Sequence, residues 1–249
     1  MLASFDTHIF WEALTSGPYW RGALLALELT CATLGAASVI AFFLALGKLS
    51  RLRALRGLVL VYTWFFRAIP TLLLLLFVWN GLPQLWSTFT SDWYKPFLAA
   101  FIALALNEAA YMAEIIRAGL ISVDPGQELA GRALGMRRGQ ILRRVIVPQA
   151  IRIIIPPTAN EFITLLKLTS LASVISLYEL LGAATVRASQ DFRYLEAYTA
   201  AAVYYLGIVS VLMVIQAQLE RRFTWRSTAR RRQRVVTAPA VPVGPHDAR

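Results

Sequence analysis

The chain has 249 residues, of which 57% are hydrophobic, and its mean hydropathy is +0.56. Soluble domains of this length carry fewer apolar residues, so these values predict a single domain embedded in a membrane. The formal net charge is +11. So apolar a protein has little soluble surface on which to display a basic patch, and we therefore expect no nucleic-acid partner.

Five stretches are long and apolar enough to cross a bilayer, which requires about 20 residues. They are residues 22–47, 57–79, 97–118, 149–167 and 196–219. The fourth stretch also carries polar residues and prolines, namely Arg152, Pro156, Pro157, Asn160, Glu161 and Lys167. Lipid does not tolerate such groups, so we expect this helix to be buried among others. The predicted fold class is an all-α integral membrane protein with five transmembrane helices.

The basic residues between these stretches predict the orientation of the chain. Connections 48–56 and 119–148 and the segment after 219 are rich in Lys and Arg, whereas the other two connections carry only Lys95, Arg187 and Arg193. Cytoplasmic loops retain basic residues, which places the N-terminus outside and the C-terminus in the cytoplasm. Residues 235–249 are rich in Pro and Ala and are predicted to form a disordered cytoplasmic tail.

The connection between spans three and four, residues 124–149, is predicted to contain two short amphipathic helices. Asp124 as N-cap, Pro125 in the first turn and Gln127 in a capping box predict the start of the first helix, and Gly135 predicts its end. The second helix is predicted to end where Pro148 turns the chain into span four. Such helices either rest on the membrane surface or dock on a partner, and their pattern is compatible with both.

This loop resembles the conserved cytoplasmic loop of ABC-importer permeases. The match consists of Leu129-Ala130-Gly131, then Gly135, then Val145-Ile146-Val147-Pro148 at the family's spacing. The family has Glu-Ala-Ala at the first of these positions, whereas this chain has Glu128 one residue early. The resemblance implies coupling helices that sit in a cleft of an ATPase subunit. The residues assigned to ATPase coupling are Glu128, Leu129, Ala130, Gly131, Ala133, Leu134, Gly135 and Met136.

Further matches narrow the resemblance to the polar-amino-acid branch of these permeases. Phe66-Arg67-Ala68-Ile69-Pro70 resembles that branch's Phe-Arg-Gly-Thr-Pro, and other matches continue in order to about residue 223. The resemblance implies a transmembrane permease domain over residues 1–234, in the bacterial inner membrane, that imports arginine, histidine, glutamine or related opines. It also implies the partners: membrane lipid, two ATP-binding subunits, a second permease copy or homologous permease, and an extracytoplasmic solute-binding protein.

Polar side chains at membrane depth are costly and usually line a pathway or pair with one another. The candidate substrate pathway consists of Arg67, Glu108, Asn160, Glu161 and Lys167. Glu108 and Glu161 are suited to an ammonium or a cationic side chain, and Asn160 and Arg67 to a carboxylate. The alternative is that these groups brace the packing of the helices.

Several kinds of site are not expected on this chain. It has no Gly-x-x-x-x-Gly-Lys-Ser/Thr phosphate loop, so we expect no enzyme activity and no cofactor, with ATP and Mg²⁺ on partner ATPase subunits. His8 and His246 lie near opposite ends, so no metal site is expected. Glu114 and Arg117 are expected to pair along one helix. The alternative function is an ion-coupled secondary transporter of amino acids, although five spans do not divide into two inverted halves.

Overall fold

The computed structural model describes residues 5–236, with side chains as far as residue 223. All regular elements in this part of the chain are helices, which confirms the all-α class. The α-helices are α1 (Thr7–Thr15), α2 (Gly17–Lys48), α3 (Arg53–Ala68), α4 (Thr71–Leu76), α5 (Leu82–Leu85), α6 (Pro96–Ile121), α7 (Pro125–Ala133), α8 (Arg138–Ile141), α9 (Val147–Leu168), α10 (Leu180–Asp191) and α11 (Tyr194–Val236). π-helical segments over Phe77–Gly81 and Leu142–Ile146 join α4 to α5 and α8 to α9.

Three helices in the described part are long and apolar enough to cross a bilayer alone: α2, α6 and the Tyr194–Phe223 part of α11. Two bent pairs bring the number of candidate crossings to five. One pair is Arg53–Ala68 with Thr71–Leu85, and the other is Arg138–Ile175 with Leu180–Asp191. The five-span topology stays a prediction. The tail predicted over 235–249 lies outside the described residues, apart from its first two residues at the end of α11.

The stretch predicted as a second span, 57–79, is not one straight helix. α3 ends because Ile69 adopts an extended conformation, with φ −79° and ψ 132°, as the residue before a proline usually does. Pro70 then leads into α4, and the chain bends by 101° between the two helices. The prediction of one continuous helix over 57–79 is therefore wrong. Hydropathy could not reveal the bend, because it records how apolar a stretch is but not the direction of the chain.

The predicted second coupling helix is not separate from span four. α8 continues through Leu142–Ile146 into α9, and Pro148 lies in the first turn of α9. The Val147 N–H donates to the Leu142 carbonyl, an i→i−5 bond of the π-helical type. This wider turn directly precedes Pro148, whose lack of an N–H would otherwise break the ladder. The expected turn at Pro148 is therefore wrong, and α7 is the one independent short helix of this connection.

Two short helices that hydropathy did not predict, α1 and α10, pack on the ends of α2 and α11. Their apolar cluster comprises Ala13, Tyr19, Ala23, Leu180, Ala184, Ala200 and Ala201. Glu179 is fully buried beneath this cluster and caps α10, accepting hydrogen bonds from two backbone N–H groups of its first turn. The Tyr205 hydroxyl of α11 donates to the same carboxylate at 3.0 Å. One buried carboxylate thus ties α10 to α11.

The centre of the fold is the pair α2 and α6. Small residues let these helices approach closely, as is common between membrane helices. One cluster places Ala41 and Ala45 of α2 with Met112 and Ala113 of α6. Ala150 at the start of α9 completes this cluster. The connection between α6 and α9 therefore starts and ends at helices that belong to this packed cluster.

Candidate functional site

The start of α7 is fixed by Asp124, as predicted. Its Oδ1 accepts a hydrogen bond from the Gly126 backbone N–H at 2.7 Å. Gln127, which was predicted to complete a capping box, instead accepts a hydrogen bond through Oε1 from the Gln149 side-chain amide at 3.4 Å. That contact links α7 to the first turn of α9.

The end of α7 is fixed by Gly135, also as predicted. Gly135 has φ +74°, in the left-handed region that favours glycine. The Gly135 N–H donates to the Arg132 carbonyl at 2.9 Å, and the Met136 N–H donates to the Gly131 carbonyl at 3.0 Å. These two bonds form a Schellman motif, which satisfies the last carbonyls of the helix. The local sequence thus defines both ends of α7.

Gly131, which departs from the family pattern, is buried where α7 packs on α8. A Cβ atom at this position would lie 2.9 Å from Cγ1 of Ile141, which is itself buried. A contact that short forces a neighbour to move. Glycine at position 131 therefore leaves room for the large Ile141 side chain of α8, so that α7 packs close to the helix that leads into α9.

The opposite face of α7 is open and apolar. Leu129 and Leu134 are 66% and 81% exposed, and Ala130 and Ala133 are exposed beside them. Glu128 forms an ion pair with Arg132 on the same helix. Exposed apolar side chains grouped on one short helix are typical of a docking surface. Leu129, where the family has Glu, thus belongs to this surface.

Two of the predicted pathway residues, Glu108 and Glu161, lie on α6 and α9, which pack against each other and belong to candidate membrane crossings. Glu108 on α6 is 2% exposed, and its Oε1 has no hydrogen-bond partner among the described residues. Glu161 on α9 is close enough to repel it electrostatically. Carboxyl groups on such helices are suited to receive a cation, because a carboxylate buried without a counter-charge is costly.

Asn160, another predicted pathway residue, lines a groove of about 560 Å³ between α9 and α11. The groove is lined by Arg152, Ile153, Pro156, Pro157, Asn160, Gln216, Glu220 and Phe223. The prolines do not interrupt α9, but they remove the helical donors for the carbonyls four residues earlier. The groove thus combines polar side chains with backbone acceptors. Within the described part of the chain, no group of three or more metal-ligating side chains occurs.

Arg67 is held by residues that the pathway hypothesis did not include. Its Nη1 lies 3.9 Å from Glu114 Oε1, and its guanidinium lies over the Tyr111 ring, 5.3 Å from the centroid. Arg117 Nε pairs with Glu114 Oε2 at 2.9 Å, as predicted. Lys48, which the sequence did not connect to this pair, hydrogen-bonds to the same carboxylate. The remaining pathway residue, Lys167, is exposed near the end of α9.

Comparison with known proteins identifies the family of this chain. A model of binding-protein-dependent transport system inner membrane components matches residues 37–225. The chain belongs to this family. The permease is 37% identical to an octopine transport system permease protein of Rhizobium radiobacter, over 94% of this chain and 96% of that one. It is 40% identical to an arginine transport system permease protein of Corynebacterium glutamicum, over 90% of this chain and 71% of that one.

Solved structures agree with this assignment. A crystal structure of an amino acid ABC transporter with histidines is 35% identical to the permease, with a TM-score of 0.76, and the match covers 89% of this chain and 100% of that chain. The resemblance to amino acid ABC permeases is thereby confirmed, and the ion-coupled alternative finds no support in these matches. Members of the family are transport components rather than enzymes.

Proposed function

We propose that this permease is the membrane-spanning subunit of an ATP-driven importer for polar amino acids in the bacterial inner membrane. The family match over residues 37–225, together with the helices that suit a bilayer, carries the proposal. Two ATP-binding subunits bind and hydrolyse ATP with Mg²⁺, and an extracytoplasmic solute-binding protein delivers the substrate. The N-terminus lies outside and the C-terminus in the cytoplasm, as the positive-inside rule predicts.

The ATPase contact in this proposal is the exposed face of α7. Leu129 and Leu134 supply apolar area, while Asp124 and Gly135 hold the helix ends in place. ATP-driven closure of the ATPase pair would displace α7, and the buried contact between Gly131 and Ile141 would pass the displacement to α8. Because α8 and α9 form one continuous helix, the movement reaches the groove and Glu161 without an intervening hinge.

A second permease, identical or homologous, would cover the polar face of α9. Arg152, Asn160 and Lys167 are exposed in the single chain, although they lie on a helix at membrane depth. Lipid does not solvate such groups, so a neighbouring subunit or a water-filled pathway has to do so. Pairing through this face would place the two grooves along a shared pathway.

The substrate, in this proposal, is a polar amino acid with a preference for a positive charge. Glu108 and Glu161 would receive the ammonium or a cationic side chain, and Asn160 the carboxylate. Arg67 and Lys167 are further candidates for the carboxylate. Arginine, histidine, glutamine and related opines are the substrates to examine, since the relatives named above carry arginine and octopine in their names.

The proposal is tested by co-expressing the permease with an ATPase subunit and a solute-binding protein of a polar-amino-acid importer from the same organism. A stable complex with the ATPase is expected. Thermal-shift screening of the solute-binding protein is expected to show stabilisation by one or a few polar amino acids. Failure of every polar amino acid to stabilise that protein would contradict the proposed substrate class.

A further inference from the structure

Three cationic side chains from three helices converge on one carboxylate beside the C-terminal ends of α2 and α6. Lys48, the last residue of α2, and Arg117 hydrogen-bond to the two oxygens of Glu114, and Arg67 from the end of α3 approaches to 3.9 Å. The cluster therefore has a net charge of +2. A surplus of positive charge at a membrane boundary attracts the anionic headgroups of lipids.

The two guanidinium groups retain hydrogen-bond donors that the protein does not use. An arginine offers five N–H donors, yet Arg117 makes one hydrogen bond to the described residues, through Nε. Arg67 has an ion pair too long for a hydrogen bond and a contact with the Tyr111 ring. The Arg67 and Arg117 side chains are 46% and 35% exposed, whereas that of Lys48 is 6% exposed. Glu114 thus compensates the buried ammonium, while both guanidiniums face outwards.

The residues around the cluster are apolar on the helices and basic in the adjoining connection, as is typical of a site for a lipid headgroup. Lys48 ends an apolar helix, and Arg117 lies one turn before the end of another. α3, which carries Arg67, also exposes apolar side chains, among them Val61 and Trp64. The connection that follows Lys48 adds the exposed Arg53 and other arginines. Basic sites between apolar helices at the cytoplasmic face bind the phosphates of anionic lipids.

We infer that Arg67 and Arg117 together bind the phosphate of an anionic phospholipid beside the C-terminal ends of α3 and α6. Planar guanidiniums suit the paired oxygens of a phosphodiester, and the Lys48–Glu114 pair forms the fixed wall of the site. The assignment to the cytoplasmic leaflet rests on the topology proposed above, whereas the binding site itself does not. This role competes with the carboxylate-binding role predicted for Arg67.

The test compares the purified complex with phosphatidylglycerol and with phosphatidylcholine, by thermal unfolding and by native mass spectrometry of retained lipid. Wild-type permease is expected to retain phosphatidylglycerol preferentially. The double variant Arg67→Gln/Arg117→Gln is expected to bind it about tenfold more weakly, because hydrogen bonds to a charged group are lost. Arg53→Gln removes an equally basic, exposed residue outside the cluster and is expected to retain the wild-type preference.

Two further measurements separate the sources of the anion. Inorganic phosphate alone is expected to give no stabilisation; stabilisation equal to that by phosphatidylglycerol would contradict a lipid site. If the double variant does not fold, Arg117→Lys keeps the charge but loses the planar fork, and it is expected to lower the lipid preference. An unchanged preference in Arg117→Lys or in the double variant overturns the inference. A rise in KM for substrate in Arg67→Gln without any change in lipid retention would do the same, in favour of the carboxylate role.

Discussion

The side-chain amide of Asn107 on α6 donates a hydrogen bond to the Phe66 backbone carbonyl at 2.7 Å. That carbonyl lies four residues before Pro70, which has no N–H to donate to it. Asn107 therefore supplies the missing donor where α3 ends. An unsatisfied carbonyl inside a membrane costs several kcal/mol, so this contact allows the chain to bend by 101° there.

Replacing Asn107 with Ala is expected to destabilise the permease by about 1–3 kcal/mol, because the Phe66 carbonyl loses its donor. The measurement is the Tm of the purified protein in detergent. Asn80→Ala is the matched control, since the Asn80 amide donates to Leu76 within its own helical segment and is exposed. Equal Tm values for Asn107→Ala and wild type would contradict the role of Asn107.

Gly22 is expected to be far more sensitive to substitution than Gly35 on the same helix. A Cβ at Gly22 would lie 2.8 Å from the backbone of Glu179 and Leu180, whereas a Cβ at Gly35 meets nothing within 4 Å. Gly22→Ala therefore forces α2 away from α10 and is expected to cost about 1–3 kcal/mol. Gly35→Ala is expected to keep or raise the Tm, since Ala favours a helix. Similar losses in both variants would show that close packing at Gly22 is not the cause.

Features that depend on neighbouring residues could be predicted from the sequence, and features that depend on distant contacts could not. Asp124 and Gly135 define the ends of α7 through bonds to residues two and three positions away, respectively. By contrast, Asn107 meets Phe66 across 41 positions, and Lys48 meets Glu114 across 66. The bend at Pro70 has the local signal of a proline, but its angle depends on how α3 and α4 pack on α6.

The predicted pathway residues likewise include features that the sequence could predict and contacts that it could not. Hydropathy singled out Glu108 and Glu161 as costly in a membrane, and the structure places them on α6 and α9, which pack against each other. It could not show that Arg67 is held by Glu114 and Tyr111, because these contacts join residues of α3 and α6 that are far apart in the sequence.

Glu108→Gln is expected to lower the uptake of a cationic amino acid selectively. The substitution keeps the shape of the buried side chain but removes a carboxyl group that can pair with a positively charged substrate, and whose Oε1 has no hydrogen-bond partner among the described residues. Uptake of arginine is expected to fall about tenfold or more, the value of a hydrogen bond to a charged group, with a smaller effect on glutamine. Glu28→Gln, at an exposed carboxylate on α2, is the control. Equal loss for both substrates would contradict a charge-selective role.

Ala130→Glu and Leu134→Glu are expected to weaken the complex with the ATPase, because each places a charge in an apolar docking surface. Loss of ATPase co-purification with an unchanged Tm of the free permease is the predicted result. Leu85→Glu is the matched control, as this leucine is also exposed but lies in α5, at the other end of the predicted spans. If all three variants bind the ATPase as wild type does, α7 is not the contact.

Substrate uptake by proteoliposomes containing the permease, its ATPase subunits and its solute-binding protein tests the central claim most directly. Uptake of a polar amino acid is expected to require ATP on the side of the membrane that bears the ATPase subunits and the solute-binding protein on the opposite side. It is expected to be unchanged when the proton gradient is collapsed. Uptake driven by a proton gradient in vesicles that contain the permease without the ATPase would contradict it.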